Sequence, residues 1–266
     1  MAVKSGTILE IDGHQKEKVC VVLPTTSSGG HKGTYECLSE ISQVSKGLTL
    51  ASPEFEIHVF LCLDKEDLVY DSRDTNESSM IDRLQESLRD TRIIFREPMY
   101  FNPPAPRPSV DNRPAARICE MWRKATRKAY DEAFDNNVLL GDDVKISTKY
   151  WMSMSRAKYA AIQRRLGVPY GFGCVAFDDE NFRAFPTFPV MHRTHMDIFN
   201  GLMIPEVFVN QDGDPYLYDV YRRWGASVIA RECRLSNGVG GSNHPRLVLD
   251  CIHPAVTSSC SGSTLR

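Results

Sequence analysis

The apolar positions of this chain alternate between short continuous runs and stripes at helical spacing. Lys18 to Thr25 (KVCVVLPT) is a nearly unbroken β-branched run, the pattern of a strand covered on both faces in a parallel sheet. A polar, glycine-bearing loop (TSSGGHKG) follows. Tyr35 to Lys46 then places Leu38, Ile41 and Val44 on one helical face, with Gly47 as the expected C-cap. Phe55 to Leu63 (FEIHVFLCL) is a second buried strand, and Asp64 stands just beyond its end. Together these form a β-α-β unit.

Further on, DSRDTNESS reads as a surface loop, Ile81 to Leu88 as a helix, and Arg92 to Phe95 as a short strand. The proline-rich PMYFNPPAPRPSVDNRP is expected to be an irregular loop. Asn112 and Pro114 suit the entry of a helix in which Ile118, Met121, Trp122, Ala125 and Ala129 recur at helical spacing. Val138 to Leu140 is a short buried strand that runs straight into Gly141-Asp142-Asp143. A helix from about Thr148 to Leu166 closes at Gly167. After it come a strand-like run, Tyr170 to Phe177, and a turn at Asp178-Asp179. FPTFPVMHRTHMDIFNG is expected to be irregular. NQDGDP reads as a hairpin-like stretch leading to a helix from about Tyr216 to Trp224, capped by Gly225. TSSCSGSTLR has the composition of a disordered tail. With no internal repeat and no clear linker, 1–256 is expected to be one domain, with 257–266 as the tail.

Composition narrows the function. The chain has 266 residues, 42% hydrophobic and 25% charged, so it can bury a sizeable core. A formal net charge of −2 supplies no field for a nucleic-acid backbone, and no nucleic-acid partner is expected. No run approaches the ~20 apolar residues of a membrane span, and the first residues lack the apolar stretch of a secretory signal. The expected location is cytoplasmic. The eight cysteines show no Cys-x-x-Cys spacing, and Cys20, Cys62 and Cys174 lie inside apolar runs, so they are expected to be reduced, buried hydrophobes.

The densest chemistry is in VLLGDDVKI. Three apolar residues drive a strand into the core, and two carboxylates appear where it leaves. In open parallel sheets ligands bind outside the carboxyl ends of the strands. Adjacent acids there repel, and a hard divalent cation such as Mg²⁺ or Mn²⁺ offsets that repulsion while bridging to phosphates. A turn carrying two solvated acids has the same pattern. Asp64 and Thr25 also stand at strand exits, so three strand ends offer polar groups to one edge.

The order VVLPT, FLCLDKEDLVYD, ARICEMWRKATRKAYDEAFD, LLGDDV and NQDGDPYLYDVYRRWG resembles the GT-A glycosyltransferases. It is most similar to family two of the nucleotide-diphospho-sugar transferases, over roughly residues 18–240. The resemblance implies an α/β fold of GT-A (Rossmann-like) type: a mostly parallel central sheet flanked by helices, with an irregular C-terminal acceptor half. The donor half would span about 18–146 and the acceptor half about 147–256. It implies transfer of a sugar from a UDP- or GDP-sugar to a glycan or other hydroxyl acceptor, with inversion and with Mn²⁺ or Mg²⁺.

Carried onto this chain, the resemblance puts Thr25 beside the nucleotide, Asp64 as acceptor of a hydrogen bond from the base, and Arg117 as a cation near the donor. Asp142 and Asp143 match the metal-binding acids, the second as the more direct ligand, and His244 in GGSNHPR is a candidate additional ligand. Asp212 and Asp214 match the acids that supply the catalytic base, although Gln211 stands where the family has glutamate. Either acid can fill the role, with Asp212 at the family's aspartate and Asp214 placed to cap the following helix. For Arg117 a solvated helix face is the equal alternative. His192 and His195 lack the His-Glu-x-x-His zinc pattern and are expected to touch acceptor or phosphate. Arg156, Lys158, Arg164 and Arg165 form a basic, solvated helix face, and the TSSGGHKG loop is expected to cover the donor. The alternatives are a sugar nucleotidyltransferase of similar fold, a non-catalytic carbohydrate- or protein-binding module, and a zinc hydrolase built on the histidines.

Overall fold

A computed structural model describes residues 16–27, 33–65, 67, 69–70, 82–83, 86, 92–102, 117–210 and 212–238. The strands are β1 (Glu17–Thr25), β2 (Phe55–Asp64), β3 (Ile93–Phe95), β4 (Met99–Phe101), β5 (Asn136–Leu139), β6 (Val144–Ile146), β7 (Cys174–Asp179), β8 (Thr187–His192) and β9 (Ser227–Asn237). The helices are α1 (Thr34–Leu48), α2 (Ile118–Asp131), α3 (Trp151–Leu166), α4 (Arg193–Ile198) and α5 (Gly213–Arg222).

All nine strands join one sheet in the order β3-β2-β1-β5-β8-β7-β9-β6, and β4 pairs with the end of β2 beyond β3. β1 lies parallel to both β2 and β5, as the β-α-β reading requires. β8 runs antiparallel to β5 and β7, and β6 antiparallel to β9. The result is the expected α/β architecture, a curled and mostly parallel sheet flanked by helices. Side chains of β1 alternate strictly: Val19, Val21 and Leu23 enter the core under α1 and α3, while Cys20 and Val22 enter the core under α2, α4 and α5. Cys20, Cys37, Cys62, Cys119, Cys174 and Cys233 are all buried free thiols, as expected of reduced cysteines. Among the described residues no helix is long and apolar enough to cross a membrane.

Several local expectations need correction. Asp64 is the last residue of β2 itself, held there by pairing with Phe101 and by the Lys65 N–H donating to the Phe101 carbonyl at 2.7 Å. The proline-rich segment is therefore not wholly irregular: its Met99–Phe101 portion is β4, carried by the β-prone residues ahead of its proline pair. α2 begins at Ile118, with Arg117 as its N-cap; Asn112 and Pro114 lie outside the described residues, as do most of 81–88 and all of 239–266.

FPTFPVMHRTHMDIFNG holds a strand, β8, in the interior of the sheet, and then a helix, α4. Pro189 hid that strand, because proline is expected only at edges or bulges. It sits at a bulge: the β7–β8 register slips between Ala176 and Phe177, and Phe188 takes a left-handed φ of 49°. The strand expected at Tyr170 starts only at Cys174 and carries Asp178 and Asp179, which had read as a turn. NQDGDP opens a helix at Gly213 rather than forming a hairpin. β9, eleven residues long, had no counterpart among the expected elements.

Gly47 is not the C-cap of α1 but lies within the helix, which runs one residue further to a Thr49 cap. Its role is close approach. A Cβ on Gly47 would lie 2.9 Å from Ile146 Cβ and 3.0 Å from the Ile146 carbonyl oxygen. Gly47→Ala gains about 1 kcal/mol of helix propensity but pushes α1 off β6, and overpacking of that kind costs about 1–3 kcal/mol. The clash is with backbone and a β-branched carbon, neither of which can swing away, so a net loss of stability is expected. Chemical denaturation of the variant checks this, and a midpoint at or above that of the parent would contradict the packing.

Candidate active site

Because β1, β2 and β5 are mutually parallel and in register, their carboxyl ends open on one edge of the sheet, Thr25 opposite Leu63 and Leu139 opposite Val22. At the β1 exit the Thr25 hydroxyl is buried and donates to the Leu23 carbonyl at 3.2 Å, turned onto its own strand. The next two backbone N–H groups reach outward. Thr26 donates to Asp142 Oδ2 at 3.1 Å, and Ser27 donates to Asp67 Oδ2 at 2.8 Å. Asp142 thus latches the β1 exit to the β5 exit. Asp67, whose other oxygen accepts the Val69 and Tyr70 N–H groups, folds the chain after β2 beneath them. Asp67 lies within the quoted DKED motif, yet its sequence neighbours give it no sign of being buried.

At the β2 exit the two candidates Asp64 and Arg117 meet. Arg117 Nη2 donates to Asp64 Oδ1 at 2.6 Å, and the guanidinium stands 5.9 Å from the centre of the Phe101 ring. Arg117 is buried, not part of a solvated helix face, and its Nε has no partner among the described residues. A buried guanidinium left with one unsatisfied donor is costly unless a further acceptor arrives.

Asp142 and Asp143 follow Leu140 and Gly141 and border an open cleft of about 300 Å³. Glu40 and Gln43 of α1, Lys145, Asn181, Asn237 and Gly238 complete its walls. The Gly238 N–H donates to the Asp143 carbonyl at 2.9 Å, and the Asn181 amide donates to the Asn237 carbonyl, closing the far wall. Lys145 is the cation of this cleft; α1 and the β6–β9 pair that line it were not anticipated as site elements.

The second pair of acids stands at the start of α5. Asp212 is exposed, in a left-handed conformation (φ 67°), and occupies the N-cap position without a side-chain cap. The capping position therefore belongs to Asp212, not to Asp214, which is half-buried in the first turn. Burial raises the Asp214 carboxyl to about 6, against the opposing pull of its own N–H and that of Phe188, with the Asp212 charge adding to the rise. Loop 205–210 fixes this turn to α2: Arg123 donates to the Pro205 and Phe208 carbonyls, and Cys119 Sγ donates to the Asn210 carbonyl. Trp122 joins the two acid pairs. Its indole N–H donates to the Leu140 carbonyl at 3.2 Å, and its ring lies 3.6 Å from where a Cβ on Gly213 would stand.

Other candidates do not join them. His195 is buried between the Tyr221 hydroxyl (2.8 Å) and the Met203 carbonyl (2.9 Å), and burial lowers its pKa to about 4. It is neutral at pH 7 and closed to acceptor or phosphate, which corrects that expectation. His192 caps α4, its Nδ1 accepting the Thr194 N–H at 3.1 Å. Of the basic face of α3, Arg164 and Arg165 are exposed, while the half-buried Arg156 and Lys158 are paired, Arg156 with Glu17 and Glu54 and Lys158 with Glu232. His244 lies outside the described residues. Among the described residues no three His, Cys, Asp or Glu side chains converge on a metal position. Two neighbouring carboxylates at the edge of a polar cleft still suit Mg²⁺ or Mn²⁺, which take one or two protein carboxylates and complete their shell with water and phosphate.

No family model matches the chain, and no curated protein matches it. Among solved structures, a candidate nucleotide-diphospho-sugar transferase from Desulfovibrio desulfuricans G20 overlaps it with a TM-score of 0.39 at 13% identity, over 82% of this chain and 79% of that one. Mouse xyloside xylosyltransferase 1, in its apo form, overlaps with a TM-score of 0.40 at 9% identity, over 86% of this chain and 100% of that one. Neither likeness assigns a family. What the strand order defines is an α/β fold of Rossmann-like type, with a curled, mostly parallel sheet flanked by helices.

Asp214 gives a stability signature. Its carboxyl rises from 3.8 to about 6 on folding, so the folded chain holds that proton more tightly. The stabilisation from this group is complete below about pH 4 and is lost as pH rises through about 6. Asp214→Asn removes the dependence. The variant's stability relative to the parent should climb between those pH values and level off at a gain of about 1–3 kcal/mol near neutrality. Melting curves across pH test this; a difference that does not change with pH would contradict it.

Proposed function

We propose that the chain is a divalent-metal-dependent glycosyltransferase that moves a sugar from a nucleotide-diphospho-sugar, a UDP- or GDP-sugar, to an acceptor hydroxyl. The observation that carries this reading is the pair Asp142–Asp143 at the exit of β5, bordering a polar cleft on the edge where β1 and β2 also end. Asp143, with Asp142, would hold Mg²⁺ or Mn²⁺, which supplies charge neutralisation to a departing diphosphate. The resemblance makes Asp143 the more direct ligand, with Asp142 beside it and also accepting the Thr26 N–H. Arg117, buried with a spare N–H and fixed by Asp64, suits the donor's anionic or carbonyl oxygens. Lys145 offers the cleft a second positive charge.

Asp214 is the better base of the two late acids. A carboxylate whose pKa is raised to about 6 is ionised at neutral pH and still basic enough to take a hydroxyl proton as the bond to the sugar forms. Asp212, exposed at the helix cap, has no such environment. Direct attack by the acceptor on the anomeric carbon, with the proton passing to Asp214, would invert the configuration.

Kinetics of four proteins separate these roles: the parent, Asp143→Asn, Asp212→Asn and Asp214→Asn. Asp143→Asn should lose metal-dependent donor binding. Asp214→Asn should keep donor affinity and lose kcat by about 10²–10⁴-fold, and Asp212→Asn should stay within a few-fold of the parent. Near-parental turnover of Asp214→Asn would remove it as the base. Unchanged donor affinity and metal response in Asp143→Asn would remove the metal assignment.

A further inference from the structure

The walls of the cleft beside Asp142 and Asp143 come from separate parts of the fold. β7 is antiparallel to β8, which is antiparallel to β5, so β7 and its parallel neighbour β9 run in the direction of β1, β2 and β5. Their carboxyl ends bring Asn181 and Asn237 to the same edge of the sheet. β6 turns back beside β9, burying Val144 and Ile146 and leaving Lys145 exposed. Ile146 packs against Gly47 of α1, and Glu40 and Gln43, one turn apart on that helix, complete the opposite wall.

The asparagine wall is held from behind. Asp179, only 1% exposed, accepts the Asn181 N–H at 2.9 Å and the Thr187 hydroxyl at 3.3 Å. The Asn181 amide in turn donates to the Asn237 carbonyl. Asn237 Oδ1 is withdrawn from water and has no partner among the described residues, and a buried acceptor of that kind calls for a donor from outside the chain.

The chemistry of these walls selects a ligand. Side-chain amides and carboxylates match hydroxyl groups, which donate and accept together. No aromatic ring is among the described residues lining the cleft, so nothing there stacks on a nucleobase. A volume of about 300 Å³ is at the small end for ligand clefts, room for a sugar ring rather than a whole nucleotide-sugar. Glu40, Asp142 and Asp143 set three carboxylates against the one ammonium of Lys145, and a single divalent cation on the aspartates brings the cleft to neutrality. An acidic sugar would add a carboxylate facing Glu40 with no charge left to offset it.

Resting on the reading of Asp142 and Asp143 as the metal-binding turn, we infer that this cleft holds the sugar ring of the donor, that the sugar is neutral, and that Glu40 determines this specificity by rejecting acidic sugars. Gln43, Asn181 and Asn237 meet the ring's hydroxyls.

Calorimetric titration of the full chain in Mn²⁺ tests this with matched donors that differ only at C6 of the sugar: UDP-glucose against UDP-glucuronate, and GDP-mannose against GDP-mannuronate. For the nucleotide that binds, the parent should hold the neutral member about tenfold or more tightly than the acidic one. Glu40→Gln should bring the two within about threefold of each other, and Glu40→Asp, which keeps the charge, should retain the preference. A parent that binds both members equally overturns the inference and leaves the functional reading standing. An undiminished preference in Glu40→Gln overturns it too. If neither nucleoside diphosphate binds with Mn²⁺, the functional reading fails and the cleft is judged by NMR on the parent. The side-chain amide signals of Gln43, Asn181 and Asn237 should then shift with methyl glucoside or methyl mannoside, and not with methyl glucuronide. Amide signals unmoved by either neutral glycoside, or moved equally by the acidic one, overturn the inference.

Discussion

The parallel pairing of β1 with β2 on one side and β5 on the other governs everything else in the molecule. Helices cover both faces of this trio, so its side chains alternate into two separate cores and no uncompensated charge can sit along its length. The carboxylates Asp64, Asp142 and Asp143 appear where the strands leave the covered region. Parallel register brings those exits to one edge, which is why Thr26, Asp64, Asp142 and Asp143 become neighbours although long stretches of sequence separate them. The chemistry of the edge is thus a consequence of how the core is closed.

A second constraint holds the edge together. The β5 exit is gripped from both faces of the sheet. On one side the Trp122 indole hydrogen-bonds the Leu140 carbonyl and backs the Gly213 turn; on the other the Phe188 ring covers Gly141. Both positions are tight for a side chain: one at Gly213 would meet Cys119 Sγ at 2.8 Å. At Gly141 a Cβ would come within 3.2 Å of Asp143 Oδ1. Trp122 thus touches both the residue before the β5 acid turn and the first residue of α5. Asp214 is half-buried in the first turn of α5, and burial raises its carboxyl.

Much of the fold was legible in the sequence, and the reasons differ by element. β1, β2 and the core stripe of α2 were readable because continuous or periodic apolar runs have few alternatives at those lengths. Asp142 and Asp143 were readable as a strand-exit pair, and Asp214 was among the candidates. β8 was not readable, because Pro189 and a left-handed Phe188 both argue against a strand, and only tertiary pairing with β5 and β7 overrides them. The different settings of Asp212 and Asp214 were likewise not legible in the sequence. Sequence shows two acids two residues apart, and only packing shows that one is exposed and the other enclosed. Arg117 illustrates the same limit, since its partner Asp64 is 53 positions away.

The central claim is that this edge binds a nucleoside diphosphate through a divalent cation, and thermal stabilisation tests it most directly. The parent protein is melted with UDP or GDP alone, with Mn²⁺ alone, and with both together. A ligand at about a hundred times its Kd stabilises the folded state by about 2.7 kcal/mol. The account predicts a rise in melting temperature for at least one diphosphate only when Mn²⁺ is present, exceeding the sum of the two separate effects. Stabilisation by neither diphosphate under any of these conditions, or by a diphosphate equally with and without the metal, would contradict it.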